Sequence, residues 1–373
     1  MKVRAAVLEE TGGSFAVHEL DLAPPGPGEV LVRLRASGVC HSDQNAIDGT
    51  APTRCPAVLG HEGAGVVEAV GPGVSRVGLG DHVALSWAPS CGQCSECIRE
   101  LPHLCAAAWP AMGEGGLLDG TSRLSRDGAP VFHYSLISSF ADACVVPERS
   151  CVPIPADVPF AIAGLVGCAV TTGVGAVWHT AGVRPGDRVA VLGCGGVGLS
   201  AILGAVAAGA SEIVAVDVSG AKLAGARELG ATATVLWAGS PEATAEAVRD
   251  ASGGGVDAAI EATGRVEAMQ AAFLSTRNRG AAVLIGIPRE DAVLSLPALS
   301  IPRMERRVLG SIYGSSRPER DFPLILDLYR RGRLPLDRLV SHSLPLERIG
   351  EAFALLANGD ARRVVIDLNG GAA

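Results

Sequence analysis

Apolar and polar positions alternate over short segments in the first part of the chain. Val30–Leu34 and Gly65–Val70 are examples, and many glycines and prolines lie between such segments. Alternation over a few residues predicts half-buried strands, and glycines and prolines favour turns. Residues 1 to about 150 should therefore form a β domain with long loops.

From about residue 170 the pattern changes to apolar strands that alternate with helices. Arg188–Leu192 is a strand candidate, an Ala-rich helix candidate follows at Gly196–Ala208, and Ile213–Val216 is the next strand candidate. Gly255–Glu261 and Ala281–Gly286 continue the alternation. Strands and helices in this order predict a doubly wound parallel sheet over residues 170–312.

Length, charge and apolarity narrow the class of protein. A chain of 373 residues exceeds the size at which one core keeps growing, so two domains are expected. The formal net charge of -8 argues against nucleic acid as a partner, because binding it needs a basic surface. No apolar run approaches the roughly 20 residues of a membrane span, so we expect no membrane segment. The N-terminus carries no apolar leader, and we therefore expect a cytoplasmic protein with small-molecule partners.

A cysteine loop carries the strongest single motif. Cys91, Cys94, Cys97 and Cys105 have the spacing C-x2-C-x2-C-x7-C, which lets four thiolates from one loop converge on a tetrahedral zinc ion. The alternative is a set of incidental or disulfide-forming cysteines, which the strict three-residue intervals disfavour. Four protein thiolates leave zinc no open position for a substrate, so we interpret this site as structural.

A glycine-rich turn indicates a dinucleotide site. Gly193-Cys194-Gly195-Gly196-Val197-Gly198 fits G-x-G-x-x-G, follows a strand candidate and opens a helix candidate. The glycines there allow the backbone to approach a pyrophosphate at the helix N-terminus. Asp217 ends the next strand candidate, where a carboxylate accepts hydrogen bonds from ribose hydroxyls and repels a 2′-phosphate. We therefore predict NAD as the cofactor, with Lys222 either near the same ribose or solvated on its helix.

Three scattered residues offer a second set of metal ligands, Cys40, His61 and Cys168. Each is weak evidence alone, because a lone Cys is usually a small core residue and a lone His is usually hydrogen-bonded within the fold. Together they would leave the fourth position of a tetrahedral zinc ion open to water or substrate.

The combination of these motifs resembles the zinc-containing medium-chain alcohol dehydrogenases over nearly the whole chain. The resemblance implies a GroES-like catalytic domain formed by residues 1–169 and 313–373, with a Rossmann domain inserted at 170–312. It also implies two zinc ions per chain, reversible hydride transfer between an alcohol and NAD, and a homodimer or homotetramer. The matching segments are the cysteine loop, Gly60-His61-Glu62, Asp119–Arg123, Gly167-Cys168, the glycine-rich turn with Asp217, and Arg362-Arg363.

The resemblance also implies roles for individual residues. Glu62 matches an acidic neighbour that can approach the catalytic metal, and Asp43 matches a carboxylate that orients the ligand His. Ser42 matches the hydroxyl that contacts the alcohol and passes on its proton. The catalytic zinc ligands are matched by Cys40, His61 and Cys168. The cofactor positions are matched by Thr172, Val197 and Ile287 at the nicotinamide and by His41 and Arg363 at the pyrophosphate.

Two positions depart from the family pattern. Many members carry a His three residues after Ser42, but this chain has Asn45, and an amide cannot titrate. Members that oxidise the glutathione adduct of formaldehyde carry an Arg after the cysteine loop, where this chain has Trp109. Ala51, Trp87, Trp109 and Tyr134 match substrate-pocket positions, which indicates aryl or medium-chain primary alcohols and their aldehydes.

Other functions stay open on the sequence. The same hydride chemistry could act on a thiol-aldehyde adduct, or on a carbonyl or iminium group in natural-product biosynthesis. A non-catalytic NAD-binding scaffold is a hypothesis of another class. It would require the loss of a zinc ligand, and every expected ligand position is filled.

Overall fold

A computed structural model describes residues 1–51, 53–359 and 361–369 of the chain. Within these residues the chain divides into two compact units. Unit 1 comprises Met1–Cys168, Arg317–Arg331 and Leu336–Ala373, and unit 2 comprises Ala169–Ser316 and Gly332–Pro335. The predicted domain boundaries stood at 169/170 and 312/313, and residues 370–373 of the predicted catalytic domain lie outside the described residues.

The strands alternate with long loops in unit 1 and with helices in unit 2. In chain order they are β1 Lys2–Leu8, β2 Phe15–Leu22, β3 Glu29–Gly38, β4 Ala57–Val58, β5 Glu62–Val70, β6 His82–Leu85, β7 Leu124–Arg126, β8 Ala129–His133, β9 Ala143–Pro147, β10 Cys151–Pro153, β11 Arg188–Leu192, β12 Glu212–Asp217, β13 Ala233–Leu236, β14 Val256–Glu261, β15 Thr276–Leu284, β16 Arg307–Gly310, β17 Val340–Pro345 and β18 Arg363–Asp367.

The helices concentrate after residue 160. In chain order they are α1 His41–Asp48, α2 Ser95–Ile98, α3 Ala108–Glu114, α4 Phe160–Ala181, α5 Gly196–Ala208, α6 Gly220–Glu228, α7 Pro241–Ala251, α8 Val266–Ser275, α9 Ser300–Met304, α10 Pro318–Arg330 and α11 Ile349–Asn358.

Unit 1 is built mainly from antiparallel strands, in agreement with the alternating pattern of its sequence, and its parallel pairs are β4–β8 and β17–β18. β1, β2, β7, β8 and β4 close into a barrel in that order, and a second sheet has the order β10-β6-β5-β3-β18-β17, with β9 also paired to β3. Phe15, Phe140 and Phe353 join the barrel to α11, because the ring of Phe140 meets the other two edge-on. The backbone N–H of Phe140 donates to the Leu59 oxygen, two residues before His61, so this packing lies next to the site described below.

Unit 2 contains the parallel sheet that the βαβ pattern predicts. Its strand order is β13-β12-β11-β14-β15-β16, and every neighbouring pair is parallel. The order reverses between β11 and β14, and ligands of such sheets bind beyond the carboxyl ends of the strands at that point. The glycine-rich turn follows β11 directly.

One helix bears on the expectation that the chain has no membrane segment. Within the described residues, α4 spans 22 residues, and its mean hydropathy of 1.9 makes it long and apolar enough to cross a membrane. Its apolar window is 89% buried in the protein, as in a core helix. The apolar character of α4 is hard to recognise in the sequence, because glycines, threonines and Trp178-His179 interrupt the apolar run without adding a charge.

Candidate metal centres and dinucleotide site

The predicted catalytic ligands lie together in unit 1. The ligand atoms of Cys40, His61, Glu62 and Cys168 all lie within 4.8 Å of one another, and all four side chains are buried. Cys40 is the N-cap of α1, His61 directly precedes β5, and Cys168 lies in α4. Two thiols and an imidazole are donors that zinc prefers, and three such ligands leave its fourth position open.

The buried carboxylate of Asp43 holds two of these ligands. Its Oδ1 accepts hydrogen bonds from His61 Nδ1 (3.0 Å) and the Gly60 N–H (3.1 Å). Its Oδ2 accepts from the Cys40 N–H (3.1 Å), which also caps α1. Burial lowers the pKa of His61, but Asp43 and Cys40 together raise it well above its usual value. Because Nδ1 is engaged by Asp43, Nε2 is the ring nitrogen left for a metal.

The pKa values of the two thiols of the cluster shift in opposite directions. The Cys168 thiol lowers the pKa of Cys40 well below its usual value, and His61 does the same against the effect of burial. Cys40 and burial raise the pKa of Cys168 well above its usual value. Adjacent buried thiols do not both ionise easily, whereas a divalent cation between them would stabilise both thiolates.

Glu62 forms an ion pair with Arg363 beside the cluster. Arg363 Nη2 donates to Glu62 Oε2, and both side chains are buried. Burial raises the pKa of Glu62 to about 7, although Arg363 lowers it. Gly38 leaves room for the carboxylate, because a Cβ on Gly38 would lie 2.0 Å from Oε2. The other oxygen, Oε1, has no hydrogen-bond partner among the described residues, so it is available to a metal.

A hydroxyl group lies beside this cluster. Ser42 Oγ is 3.7 Å from Cys40 Sγ, in the first turn of α1. The hydroxyl of Tyr134 donates to the backbone oxygen of Ser42 (2.9 Å), and its ring meets the His61 ring edge-on with centroids 5.8 Å apart. Asn45 is partly buried on the next turn of the helix.

The loop cysteines form a second cluster. The sulfur atoms of Cys91, Cys94, Cys97 and Cys105 lie within 4.8 Å of one another, and the Cys91–Cys97 and Cys94–Cys105 pairs are 4.0 Å apart. Tetrahedral zinc with Zn–S bonds of about 2.3 Å needs sulfur atoms about 3.8 Å apart. Backbone amides, first that of Gln93, lower the pKa of Cys91 to about 6. Donor type, number and spacing therefore fit a closed zinc site.

The glycine-rich turn of unit 2 fits a dinucleotide. Gly193 has φ +94, and a Cβ on Gly198 would lie 1.7 Å from the Gly193 oxygen, so the strand and α5 meet too closely for a side chain. The Asp217 carboxylate accepts from the Cys194 N–H (2.7 Å) and the Ser219 N–H (2.9 Å) at the end of β12. A cavity of about 550 Å³ adjoins these groups. Its lining includes Gly193, Asp217, Lys222, Trp237, Thr263 and Arg265.

Comparison with known proteins gives matches over nearly the whole chain. Residues 26–156 match the alcohol dehydrogenase GroES-like domain, and residues 196–331 match the zinc-binding dehydrogenase domain. The chain is 38% identical to S-(hydroxymethyl)glutathione dehydrogenase of Synechocystis sp. over 98% of this chain and 100% of that protein. The chain belongs to the zinc-containing medium-chain alcohol dehydrogenase family. The GroES-like and Rossmann fold prediction is thereby confirmed.

Two solved structures add detail about this dehydrogenase family. Benzyl alcohol dehydrogenase of Acinetobacter calcoaceticus is 32% identical with a TM-score of 0.93, covering 98% of this chain and 99% of that one. A zinc-binding dehydrogenase of Sinorhizobium meliloti bound to NADP is 26% identical with a TM-score of 0.81, covering 98% of this chain and 99% of that one. The zinc-binding dehydrogenase domain and the NADP-bound structure support zinc and a nicotinamide cofactor for the dehydrogenase described here.

The remaining predicted cofactor residues of the dehydrogenase occupy varied surroundings. A Cβ on Gly173 would lie 2.3 Å from the Val197 oxygen, so α4 packs tightly on α5 and brings Thr172 near the glycine-rich turn. Ile287 is 68% exposed, and its backbone packs on the Gly264 loop. His41 is exposed at the start of α1, whereas Arg363 is buried against Glu62.

The four predicted pocket residues lie in three places: a tryptophan pair, a tyrosine beside His61 and an exposed alanine. Trp87 and Trp109 meet edge-on with ring centroids 6.0 Å apart, and Trp109 is exposed. Tyr134 lies against His61. Ala51 is exposed, and its N–H donates to the Asn45 oxygen (2.9 Å).

Sequence reasoning missed several contacts of the dehydrogenase. The Arg363–Glu62 ion pair joins residues 301 positions apart, and no local pattern indicates it. The pattern of side chains along the sequence does not indicate the hydrogen bond from Tyr134 to the Ser42 backbone. The lining of the dinucleotide cavity by Trp237, Thr263 and Arg265 could have been inferred, because these residues follow the ends of β13 and β14.

The two cysteine clusters should differ in what their loss does. Cys168→Ala should leave a folded protein with one zinc ion per chain and no turnover, because it removes a ligand from the open site. Metal analysis, circular dichroism and an NAD reduction assay check this. Two retained zinc ions, or full activity, would exclude Cys168 from the metal site.

Cys94→Ala should instead lower the stability of unit 1, because the binding energy of a structural zinc ion is folding energy. The thermal unfolding midpoint and the zinc content of this variant are the measurements. Cys144→Ala is the control, since Cys144 is a buried cysteine remote in sequence from either cluster. A Cys94→Ala variant as stable as the unaltered protein would contradict a structural zinc site.

Proposed function

We propose that this dehydrogenase oxidises primary alcohols to aldehydes with NAD and carries two zinc ions per chain. The observation that carries the proposal is the buried cluster of Cys40, His61 and Cys168, which has three zinc donors and a hydroxyl group beside it. The closed cysteine loop supports a second, structural ion. Aryl and medium-chain alcohols are the substrate class that the aromatic residues support.

Cys40, His61 and Cys168 would hold the catalytic zinc ion. Bound there, zinc supplies a Lewis acid that lowers the pKa of a hydroxyl group and polarises a carbonyl oxygen. Asp43 keeps the imidazole of His61 in the tautomer that presents Nε2. Glu62 Oε1, which has no hydrogen-bond partner among the described residues, would offer the ion a further oxygen ligand.

Ser42 can hold the proton that an alcohol loses. Its hydroxyl lies beside Cys40 Sγ, and a hydroxyl both accepts and donates a hydrogen bond. The amide of Asn45 cannot titrate, so the proton must leave through water or His41. Proton transfer and hydride transfer together convert the alcohol to the aldehyde and NAD to NADH.

Asp217 supports NAD over NADP. Each of its carboxylate oxygens already accepts one backbone N–H, which fixes the group at the edge of the cavity. The carboxylate can still accept hydrogen bonds from ribose hydroxyls, and its negative charge disfavours a 2′-phosphate.

A second candidate substrate is a thiol-aldehyde adduct. The relative from Synechocystis acts on S-(hydroxymethyl)glutathione, and this favours the adduct. The exposed Trp109 favours an aromatic alcohol instead, because an indole ring offers apolar surface and no positive charge for a glutathione carboxylate. The benzyl alcohol dehydrogenase relative supports the same choice.

Steady-state rates on three substrates distinguish these candidates. Benzyl alcohol and 1-hexanol should give higher kcat/KM with NAD than formaldehyde mixed with glutathione. A higher value for the glutathione adduct would replace the first candidate by the second. No reduction of NAD with any of the three, in protein that contains zinc, would contradict both.

Asp217→Gly should reduce the preference for NAD over NADP, because it removes the charge that repels the 2′-phosphate of NADP. The measurement is the ratio of kcat/KM for NAD and NADP in the variant and the unaltered enzyme. Asp187→Gly is a control that removes a carboxylate away from the cavity. An unaltered enzyme that uses NADP more efficiently than NAD would contradict the role of Asp217.

Ser42→Ala should lower kcat/KM for alcohol oxidation by about 100- to 10,000-fold, the usual effect of losing a general acid–base group. The dissociation constant of NAD should change little, because the hydroxyl acts on the alcohol. An unaffected rate would mean that protons leave by another path.

Asn45→His should add an inflection near pH 6 to 7 to the profile of kcat/KM, because an imidazole titrates in that range. Asn45→Gln is the matched control, since it keeps an amide. If the histidine and glutamine variants have the same profile, position 45 lies outside the proton route.

A further inference from the structure

The segment after β8 has an unusual backbone. Ser135, Leu136 and Ser138 have φ values of 53, 60 and 60, although none is a glycine. Side chains with a Cβ rarely adopt this left-handed region, because the Cβ crowds the following carbonyl oxygen. Three such residues within four positions are strain, and backbone strain persists where the surroundings impose it and tends to lie at functional sites.

Buried packing and hydrogen bonds hold this segment in place. Leu136, Ile137 and Ser138 are fully buried. The Tyr134 N–H donates to Ser138 Oγ (3.0 Å), and the Ser139 N–H donates to the Gly60 oxygen (2.9 Å). The strained segment is thus fixed to the residue that precedes His61.

The consequence of this conformation is the position of Tyr134. Its hydroxyl donates to the backbone oxygen of Ser42 (2.9 Å) in the first turn of α1, and its ring meets His61 edge-on. Ser42 Oγ lies beside Cys40 Sγ in that same turn. Tyr134 therefore contacts both the helix turn that carries the hydroxyl and one of the zinc ligands.

We propose that Tyr134 is a positioning residue, which the strained segment 135–138 holds so that its hydroxyl keeps Ser42 directed at the metal centre. The inference rests on the proposed function, in which Ser42 holds the alcohol proton. The substrate-pocket position expected for Tyr134 concerns the ring, whereas this role belongs to the hydroxyl.

Removing the hydroxyl alone tests the role. Tyr134→Phe keeps the ring against His61 and deletes the hydrogen bond to the Ser42 oxygen. We expect kcat for benzyl alcohol oxidation to fall about three- to tenfold, the effect of one hydrogen bond, with the zinc content and the NAD dissociation constant unchanged. Tyr329→Phe is the matched control, because it removes a phenol hydroxyl from α10 without touching the site. A Tyr134→Phe rate equal to that of the control would overturn the proposal.

A double-mutant cycle separates positioning from general packing. If Tyr134 acts through Ser42, then Tyr134→Phe should change kcat less than twofold in a protein that already carries Ser42→Ala. The same three- to tenfold loss in both backgrounds would overturn the proposal, because the hydroxyl would then act independently of Ser42. Failure of the proposed function looks different: the unaltered, zinc-containing enzyme would itself oxidise no alcohol with NAD.

Discussion

One buried carboxylate connects the parts of the metal centre. Asp43 accepts hydrogen bonds from the backbone at Cys40, from the backbone at Gly60 and from the His61 ring. It therefore caps α1, fixes the turn before β5 and selects the His61 tautomer with a single group. A buried charge is costly unless it is fully paired, and these three donors satisfy it. Without Asp43, the backbone at Cys40 and the ring of His61 would lose the hydrogen-bond acceptor that they share.

The charge of the site explains why it suits a cation. Cys40, Cys168, Glu62 and Asp43 are four acidic groups that are buried together, and among the described residues His61 and Arg363 are their buried basic partners. The ion pair with Arg363 compensates Glu62, and His61 is shared between Asp43 and Cys40. A divalent ion with a preference for sulfur would supply the counter-charge that both Cys40 and Cys168 need as thiolates. The cysteine loop is less buried and closes over a few residues, as expected for a site that stabilises a fold.

The sequence predicts the features whose residues are close together in the chain. The cysteine loop and the glycine-rich turn were accessible because the spacing of their residues is itself the geometry of the site. Cys40, His61 and Cys168 are separated by long stretches, so their residue types suggested a ligand set and the family resemblance strengthened it. The Arg363–Glu62 pair depends on the pairing of β18 with β3, which no local pattern specifies.

The backbone strain after β8 could not be predicted from the sequence for a different reason. A glycine marks many left-handed positions in a sequence, but Ser135, Leu136 and Ser138 reach that region through packing alone. The apolar helix α4 is a different case. Its sequence does not show a continuous apolar run, and its burial depends on the fold around it. Sites formed by residues close together in this sequence can therefore be predicted from it, whereas contacts between distant residues cannot.

The proposed function requires the Cys40, His61 and Cys168 site to be open to substrate and the cysteine loop to be closed. Replacing both metals by Co²⁺ and recording the visible spectrum tests this directly, because cobalt bands report ligand geometry. Adding NAD and trifluoroethanol, an alcohol that resists oxidation, should shift the bands of one site and leave those of the other unchanged, and the shift should be absent from Cys168→Ala. A spectrum that does not respond to the alcohol, or a response that persists in Cys168→Ala, would contradict an open metal site at Cys40, His61 and Cys168.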